Sequence, residues 1–374
     1  MLRVLHISEV SIGGIFSLLK DFTREQSARG HDVHILASPT MLALDGARHD
    51  WSLRRRRPAT YPRAVLELRR TIRTVEPDVI HLHSFFGGFF GRLPILSGLG
   101  DVPVVYQPHA WAFNVVWLSK VRILIQAWER FAGRRTDVIV ANCSEEVEEG
   151  RRAGVAREGT PLGVAVDTQH FSPVDEATRS HWRTTLGVSQ PGLLLCLGRL
   201  ATQKGQDQLV KAWEANPLPD AELVFVGIDK PEPLAALAPT QWGKTVRAVP
   251  NVRDVRPWMW ACDVLVLPSR YEGAAVTVPE AMACGRPIVT TKVNGVQEQV
   301  VDGPEPPAGA IVALGAMDDM LREAGRRLTE PGLANAEGAA ARERAVEKFE
   351  TKTVVDRLDA AYRKACARRS GLRR

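Results

Sequence analysis

The sequence predicts an α/β protein built from two doubly wound parallel-sheet domains, and three observations carry that expectation. A chain of 374 residues exceeds the size at which one hydrophobic core keeps growing, so two domains are expected. Short apolar runs at residues 2–7, 33–37, 79–83, 102–106 and 137–141, and again at 193–197, 222–227, 245–249, 263–267 and 287–291, alternate with helical stretches. That alternation is the strand–helix–strand order of a parallel sheet. Several runs lead into glycine or polar loops, at Gly13 and Gly14, at Gly198, at Gly227, and at Pro268 with Ser269. Such strand ends are where doubly wound sheets bind ligands.

Composition narrows the class. With 45% hydrophobic and 25% charged residues the chain is ordinary globular material. No apolar run reaches the ~20 residues that span a bilayer. The first strand begins at Leu2 with no basic start and long apolar core ahead of it, so a cytoplasmic protein is expected. Five scattered cysteines form neither paired spacings nor a metal-ligand cluster. The net charge of +6 and pI near 9.2 suit an anionic partner: a membrane surface, a nucleic acid or a phosphorylated substrate. No nucleic-acid-binding signature accompanies the charge, which sets the nucleic acid aside.

In the first half, the strand at 2–7 is followed by a helix at 15–29 that carries Phe16, Leu18, Leu19 and Phe22 on one face. Gly13 and Gly14 between them let the backbone approach a phosphate, although turn-making alone accounts for a glycine pair that is not G-x-G-x-x-G. Residues 50–70 are basic, with Arg54, Arg55, Arg56 and Arg57 beside Trp51, which reads as a solvated surface or as one laid against anionic lipid. After the strand at 79–83, Phe85, Phe86, Phe89 and Phe90 predict a helix packed on the sheet, or else aromatics lining an acceptor cleft or touching lipid. The strand at 102–106 delivers His109 to a strand end. A helix at 116–134 mixes Trp117, Ile123, Leu124, Trp128 and Phe131 with Lys120, Arg122, Arg130 and Arg134. It reads as core packing with a wet face, or as an interfacial helix. The strand at 137–141 precedes an acidic helix with Glu145, Glu146, Glu148 and Glu149.

In the second half, a polar helix at 175–186 leads to the strand at 193–197, then to Arg199 and Lys204 ahead of a helix at 207–213. Two cations at a strand end and helix start are what a departing diphosphate requires, because negative charge builds on it; surface cations are the plainer alternative. Val252 and Arg253 follow the strand at 245–249. Beyond the strand at 263–267 come two carboxylates, Glu272 in a glycine-containing loop and Glu280 just after Pro279, a residue suited to a first helical turn. Val276 and Thr277 stand at that helix start, Gly285 caps its end, and backbone N–H groups there favour a phosphate. The carboxylates would repel a phosphate and suit hydroxyls, so the pair and the helix start together suit a sugar nucleotide; a solvated loop residue and a helix-dipole partner are the plainer alternative. The last helix, at about 352–368, is basic at its end, where Arg368, Arg369, Arg373 and Arg374 are expected to fray into solvent.

RYEGAAVTVPEAMACGRPIVTT from Arg270, GRLATQKGQDQLV from Gly198, PLGVAVDTQHFSP from Pro161 and the segment around His109 resemble the retaining glycosyltransferases of family 4, which have the GT-B fold. The resemblance implies two Rossmann-like domains facing across a cleft, an acceptor-side domain at 1–172 and a nucleotide-sugar domain at 173–350, with 351–374 crossing back to the first. It implies that Glu272 lies beside the transferred sugar, Glu280 holds the ribose, Arg199 and Lys204 clamp the diphosphate, and His109 faces the sugar. Gly14 faces the donor phosphates, Val252 and Arg253 pass the base, and Val276 and Thr277 lie at the donor. The sequence departs from the family pattern at Ala274 and Ala275, where a bulky residue and a glycine are usual, and in extra residues around Ala165 and Val166. The implied activity moves a hexose-type sugar from a nucleoside diphosphate sugar to an acceptor hydroxyl, with retention. The acceptor would be a glycan or lipid-linked, and an anionic membrane surface a further partner. No Asp-x-Asp occurs, so no metal is expected. A sugar-nucleotide epimerase, a phosphorylase and a non-catalytic sugar-nucleotide binder remain as alternatives.

Overall fold

The computed structural model describes residues 1–11, 13–41, 44–115, 118–155, 158–303 and 306–372. Trp117, Arg373 and Arg374 of the expectations above lie outside them. The chain divides into two compact units, Met1–Ala165 with Thr351–Arg374, and Val166–Glu350.

The first unit holds seven strands: β1 (Arg3–Ser8), β2 (Asp32–Ala37), β3 (Ala47–Asp50), β4 (Val79–His83), β5 (Val104–Gln107), β6 (Val138–Ala141) and β7 (Gly159–Pro161). They pair in the order β3-β2-β1-β4-β5-β6-β7, all parallel. Three helices matter for the site: α1 (Gly14–Ala28), α2 (Tyr61–Val75) and α3 (Ser84–Arg92). Glycine lets α3 lie close to the sheet, since a Cβ at Gly88 would come within 2.5 Å of the Tyr106 ring. Phe90 is then buried and Phe86 and Phe89 pack beside it, the helix-on-sheet reading of that aromatic run. Burying one such ring stabilises by about 1.5–3 kcal/mol.

The second unit holds six strands: β8 (Gly192–Leu197), β9 (Ala221–Val226), β10 (Val246–Val249), β11 (Val264–Leu267), β12 (Ile288–Thr291) and β13 (Gly309–Val312). They run in the order β10-β9-β8-β11-β12-β13, again all parallel. Successive side chains of a strand point to opposite faces. Leu193, Leu195 and Leu197 therefore enter one core with Val224, Val226, Leu265 and Leu267, while Leu194 and Cys196 enter the other with Phe225, Val264 and Val266. Helices cover both faces, so these strands read as unbroken apolar runs.

Three expectations need correction. Trp51 is buried, donating its indole N–H to the Ala64 carbonyl at 3.0 Å and meeting Phe90 edge-on, so it offers nothing to a lipid surface. Its neighbours Arg54 to Arg57 remain exposed because Trp51 and Leu53 turn inward beneath the apolar side of α2. The helix expected at 116–134 is observed at Ser119–Gly133 and buries only Glu129 and Ala132. Ile125 and Trp128 pack partly inward, while Ile123 and Leu124 are 62% and 70% exposed and Phe131 50%. Finally, Arg368 and Arg369 do not fray. The last helix runs to Leu372, and there Arg368 donates to the Asp137 carbonyl and pairs with Glu158, while Arg369 pairs with the Asp137 carboxylate.

Candidate active site

In the second unit the strand order reverses between β8 and β11, and the loops leaving these two strands open the crevice in which doubly wound sheets bind ligands. Arg199 leaves β8 with its side chain exposed. Lys204 ends the short turn Thr202–Lys204, which Gly205 closes at φ 67°. No other residue fits at Gly205, because the backbone is left-handed and a Cβ would come within 2.0 Å of the Pro268 carbonyl oxygen. That approach lays the β8 loop against the β11 loop. Arg270 fastens them: its N–H reaches the Gln203 carbonyl at 2.7 Å, and its guanidinium takes both Asp207 oxygens at 2.8 and 2.7 Å. The Arg270 hydrogen bond holds the Asp207 carboxyl below the usual range.

Glu272 stands at the centre of this junction, nearly buried. Its Oε1 accepts from Lys204 Nζ at 2.8 Å and from Ser269 Oγ at 2.7 Å, and its Oε2 from Gln203 Nε2 at 3.2 Å. Ala274 follows at φ 75°, a left-handed conformation that costs a non-glycine residue about 1–2 kcal/mol. Glu280 is half-buried eight positions after Glu272, in the seven-residue helix Thr277–Ala283. Pro279 is thus the third helical residue, still in the first turn, and Gly285 ends the helix at φ 71°. Among the described residues Thr277 Oγ1 is buried without a hydrogen-bond partner, a polar atom aimed at nothing in the protein. Beyond β10, Asn251 N–H anchors on Asp229 at 3.0 Å, leaving Val252 half-buried and Arg253 exposed.

The structure thus brings Lys204 and Glu272 into direct contact and gathers Arg199, Val276, Thr277 and Glu280 on the same strand-end side. Gly14 and His109 belong to the first unit. There α1 begins at Gly14, after an exposed Gly13 at φ 75°, with no side chain capping it. His109 leaves β5 with φ 53°, and Ala110 follows with φ 84°. Two carboxylates that sequence reasoning passed over build this end of the sheet. Glu9, at the end of β1, receives Ser84 Oγ and, at 3.0 Å, Gly87 N–H, so it occupies the start of α3. Glu146 receives the backbone N–H groups of Ala110 and Asn142, the latter at 2.9 Å, and so pins the left-handed His109–Ala110 corner. Burial pushes the Glu146 carboxyl up to about 7. The same burial drives the imidazoles down, His109 to about 3 and His6 to about 4, with His81 and His83 well below their ordinary value. Among the described residues His6, His81 and His83 also form the one group whose ring nitrogens could close on a metal ion.

Residues 12–168 match the family described as Glycosyltransferase Family 4, and residues 191–330 the one described as Glycosyl transferases group 1. The chain belongs to the family 4, group 1 glycosyltransferases. This glycosyltransferase is 28% identical over 365 residues to alpha-maltose-1-phosphate synthase of Mycolicibacterium smegmatis, covering 90% of this chain and 91% of that one. It is 34% identical over 281 residues to a D-inositol 3-phosphate glycosyltransferase of Xylanimonas cellulosilytica, covering 67% and 65%. Among solved structures it superposes on sucrose-phosphate synthase from Thermosynechococcus elongatus with a TM-score of 0.82 at 20% identity, covering 98% and 100%. On Anabaena HepE in complex with UDP-glucose the TM-score is 0.79 at 18% identity, covering 96% and 99%. The two parallel-sheet units are those of the GT-B fold.

Proposed function

We propose that this glycosyltransferase moves a hexose-type sugar from a nucleoside diphosphate sugar to an acceptor hydroxyl with retention of configuration, in the synthesis of a cell-surface polysaccharide or glycolipid. The observation that carries the reading is the junction of Lys204 and Glu272 at the switch point of the second sheet, a cation for a diphosphate in contact with a carboxylate for sugar hydroxyls. Arg199 and Lys204 stabilise charge on the departing diphosphate, and Val276 and Thr277 supply donors beside it, the unpartnered Thr277 hydroxyl among them. Glu280 takes the ribose, Val252 and Arg253 the base, and Glu272 the sugar. In the first unit, Gly14 serves the donor phosphates and His109 the sugar. Donor binding needs no metal on this reading, because two cations and backbone N–H groups supply the positive charge.

HepE, solved with UDP-glucose, and the polysaccharide and lipid-glycan enzymes among the relatives support this choice of donor and product class. The acceptor is membrane-presented, and the enzyme works peripherally on the cytoplasmic face. The exposed Ile123, Leu124 and Phe131 on a helix that also exposes Lys120, Arg122 and Arg130 support that placement, although among the described residues no helix is long and apolar enough to cross a membrane.

The test is incubation with a panel of nucleoside diphosphate sugars and no acceptor. Slow release of one nucleoside diphosphate, abolished in Lys204→Ala, is expected. Binding without any release would leave a sugar-nucleotide binding protein instead.

A further inference from the structure

Polar side chains stand where the strands of the first unit are otherwise apolar: His6 on β1 and His81 and His83 on β4 are all fully buried. A neutral imidazole has one donor and one acceptor nitrogen, so each bond it makes dictates the next. Gln26 Oε1 lies 2.8 Å from His6 Nε2, and an amide oxygen only accepts, so His6 is protonated at Nε2. His6 Nδ1 must then accept, and it takes the hydrogen of His83 Nε2 at 3.0 Å. His83 Nδ1 in turn accepts from His109 Nε2 at 3.0 Å, which leaves His109 Nδ1 as an acceptor with Asn142 Nδ2 3.4 Å away.

The string also runs the other way. Gln26 Nε2 donates to the Tyr362 hydroxyl at 3.2 Å, and that hydroxyl donates to His81 Nδ1 at 2.9 Å, so His81 too carries its hydrogen on Nε2. Among the described residues, His81 Nε2 and Gln107 Oε1 are then the two side-chain ends of this string left without a formed hydrogen bond. Gln107 Nε2 donates to Asn142 Oδ1 at 2.8 Å, so the string forms a ring open at one point, between His81 Nε2 and Gln107 Oε1, and its formed bonds all donate in one rotational sense.

We propose that this ring, open only between His81 and Gln107, holds His109 as the neutral Nε2–H tautomer, with Nδ1 as the acceptor that a donor-sugar hydroxyl takes over from Asn142. His6, His83, Gln26 and Tyr362 are then positioning residues that act through His109. The inference rests on the reading of His109 as a sugar contact. The Asn142 link is the longest formed bond of the ring, and His109 is its one partly exposed member, so a ligand enters the ring at that point. Reversing the tautomer requires every member to turn round together, because each bond fixes its neighbour.

The experiment is nitrogen NMR on the full-length protein labelled with 15N-histidine at neutral pH. His109 is expected to be protonated at Nε2 and bare at Nδ1, like His6, His81 and His83. A proton on Nδ1 of His109, alone or with Nε2, overturns the ring whatever the enzyme's activity. Tyr362→Phe provides the functional arm, since it removes the hydroxyl and keeps the ring shape. It should mix the His109 tautomers and lower kcat by roughly three- to tenfold, the scale of one net hydrogen bond, while nucleoside diphosphate affinity stays unchanged. Tyr106→Phe is the control, because that buried hydroxyl goes to Glu129 at 3.3 Å, outside the ring. It should lower Tm without touching kcat or tautomer. An equal loss of kcat in the two variants, or a single unmixed tautomer in Tyr362→Phe, refutes the positioning role. If the wild-type enzyme released no nucleoside diphosphate from any donor, the functional reading would fail, and the NMR result would still decide the ring.

Discussion

Lys204 Nζ lies 2.8 Å from Glu272 Oε1, so the cation assigned to the diphosphate and the carboxylate assigned to the sugar are paired with each other, both largely buried. A diphosphate bound as proposed would give Lys204 a second anionic partner beside Glu272. Lys204→Ala should slow transfer by about a hundredfold or more, the scale of losing one charged transition-state contact. It also strands a buried carboxylate, which costs about 2 kcal/mol or more even with Ser269 and Gln203 still donating. Adding Glu272→Gln to that variant should restore Tm and leave activity lost, because a neutral amide needs no cation. Melting curves and turnover of the single and double variants separate the two effects. A double variant no more stable than Lys204→Ala would mean that the pair carries no such coupling.

The three buried histidines of the first unit and the partly exposed His109 should make it acid-labile. Their folded pKa values are depressed, to about 4 for His6 and about 3 for His109, against an unfolded value of about 6.5. The stability this represents is complete above pH ~6.5 and is lost as pH falls towards the folded values, by up to ~1.4 kcal/mol per pH unit for each histidine. Glu146 works in the opposite sense, since its raised pKa of about 7 lets the folded state hold a proton that the unfolded chain has released. One carboxyl opposes four imidazoles, so the histidines prevail. Thermal melts should show Tm falling steadily between pH 6.5 and 5, and a flat profile would contradict the buried neutral assignment.

At Ala274 two backbone effects compete. Glycine would relieve the left-handed strain of about 1–2 kcal/mol but would add unfolded-state freedom worth about 0.4–1 kcal/mol. The strain outweighs the added freedom. Ala274→Gly should therefore raise Tm slightly, and Ala274→Val should lower it, as calorimetry of the two variants would show.

The central strands and the cation and carboxylate loops were legible because buried parallel strands are continuous apolar runs and because their ends are where ligands bind. β3, β7 and β13 were not legible. They are three- or four-residue edge strands, and β3 and β7 are exposed or half-exposed throughout, so they carry no apolar run. Glu9 and Glu146 escaped for a different reason. Glu9 serves Gly87, 78 positions away, and Glu146 serves Ala110, 36 away, and nothing local separates such a carboxylate from a solvated one. The histidines did leave a trace, as polar residues alternating within the apolar run VIHLH, a placement a buried strand tolerates only with partners. The exposed apolar helix at Ser119–Gly133 was ambiguous because its composition suits a core equally well.

That helix should bind anionic vesicles. Its exposed Ile123, Leu124 and Phe131 offer apolar contact, and Lys120, Arg122 and Arg130 offer about 1 kcal/mol each near a charged surface. Co-sedimentation with phosphatidylserine vesicles is expected at low salt, weakening at high salt and lost when Ile123 and Leu124 are both changed to Glu. Binding indifferent to salt, or no binding, removes the electrostatic account. Trp51→Phe should leave vesicle binding unaltered, since the indole lies inside.

The last prediction concerns the route by which the proposed retention of configuration would be reached. One route uses a carboxylate nucleophile and a glycosyl-enzyme intermediate, and the other a front-face displacement in which the leaving diphosphate takes the acceptor's proton. Glu272 is the carboxylate best placed by sequence for the first route, yet its oxygens already accept from Lys204, Ser269 and Gln203. A nucleophile needs undiminished charge, and two neutral donors together with an ammonium at 2.8 Å draw that charge down while leaving Oε2 a lone pair for a sugar hydroxyl. The same donors make Glu272 a rigid acceptor along the sugar hydroxyls. The front-face route is therefore expected, with Arg199 and Lys204 stabilising the diphosphate. Intact-protein mass spectrometry under turnover should show no sugar adduct on Glu272, and Glu272→Gln should slow transfer without inverting the product anomer. Glu280→Ala should weaken nucleotide binding more than it slows the bound complex, because a ribose contact is the same in ground and transition states. A trapped glycosyl ester on Glu272 would replace the front-face route with double displacement.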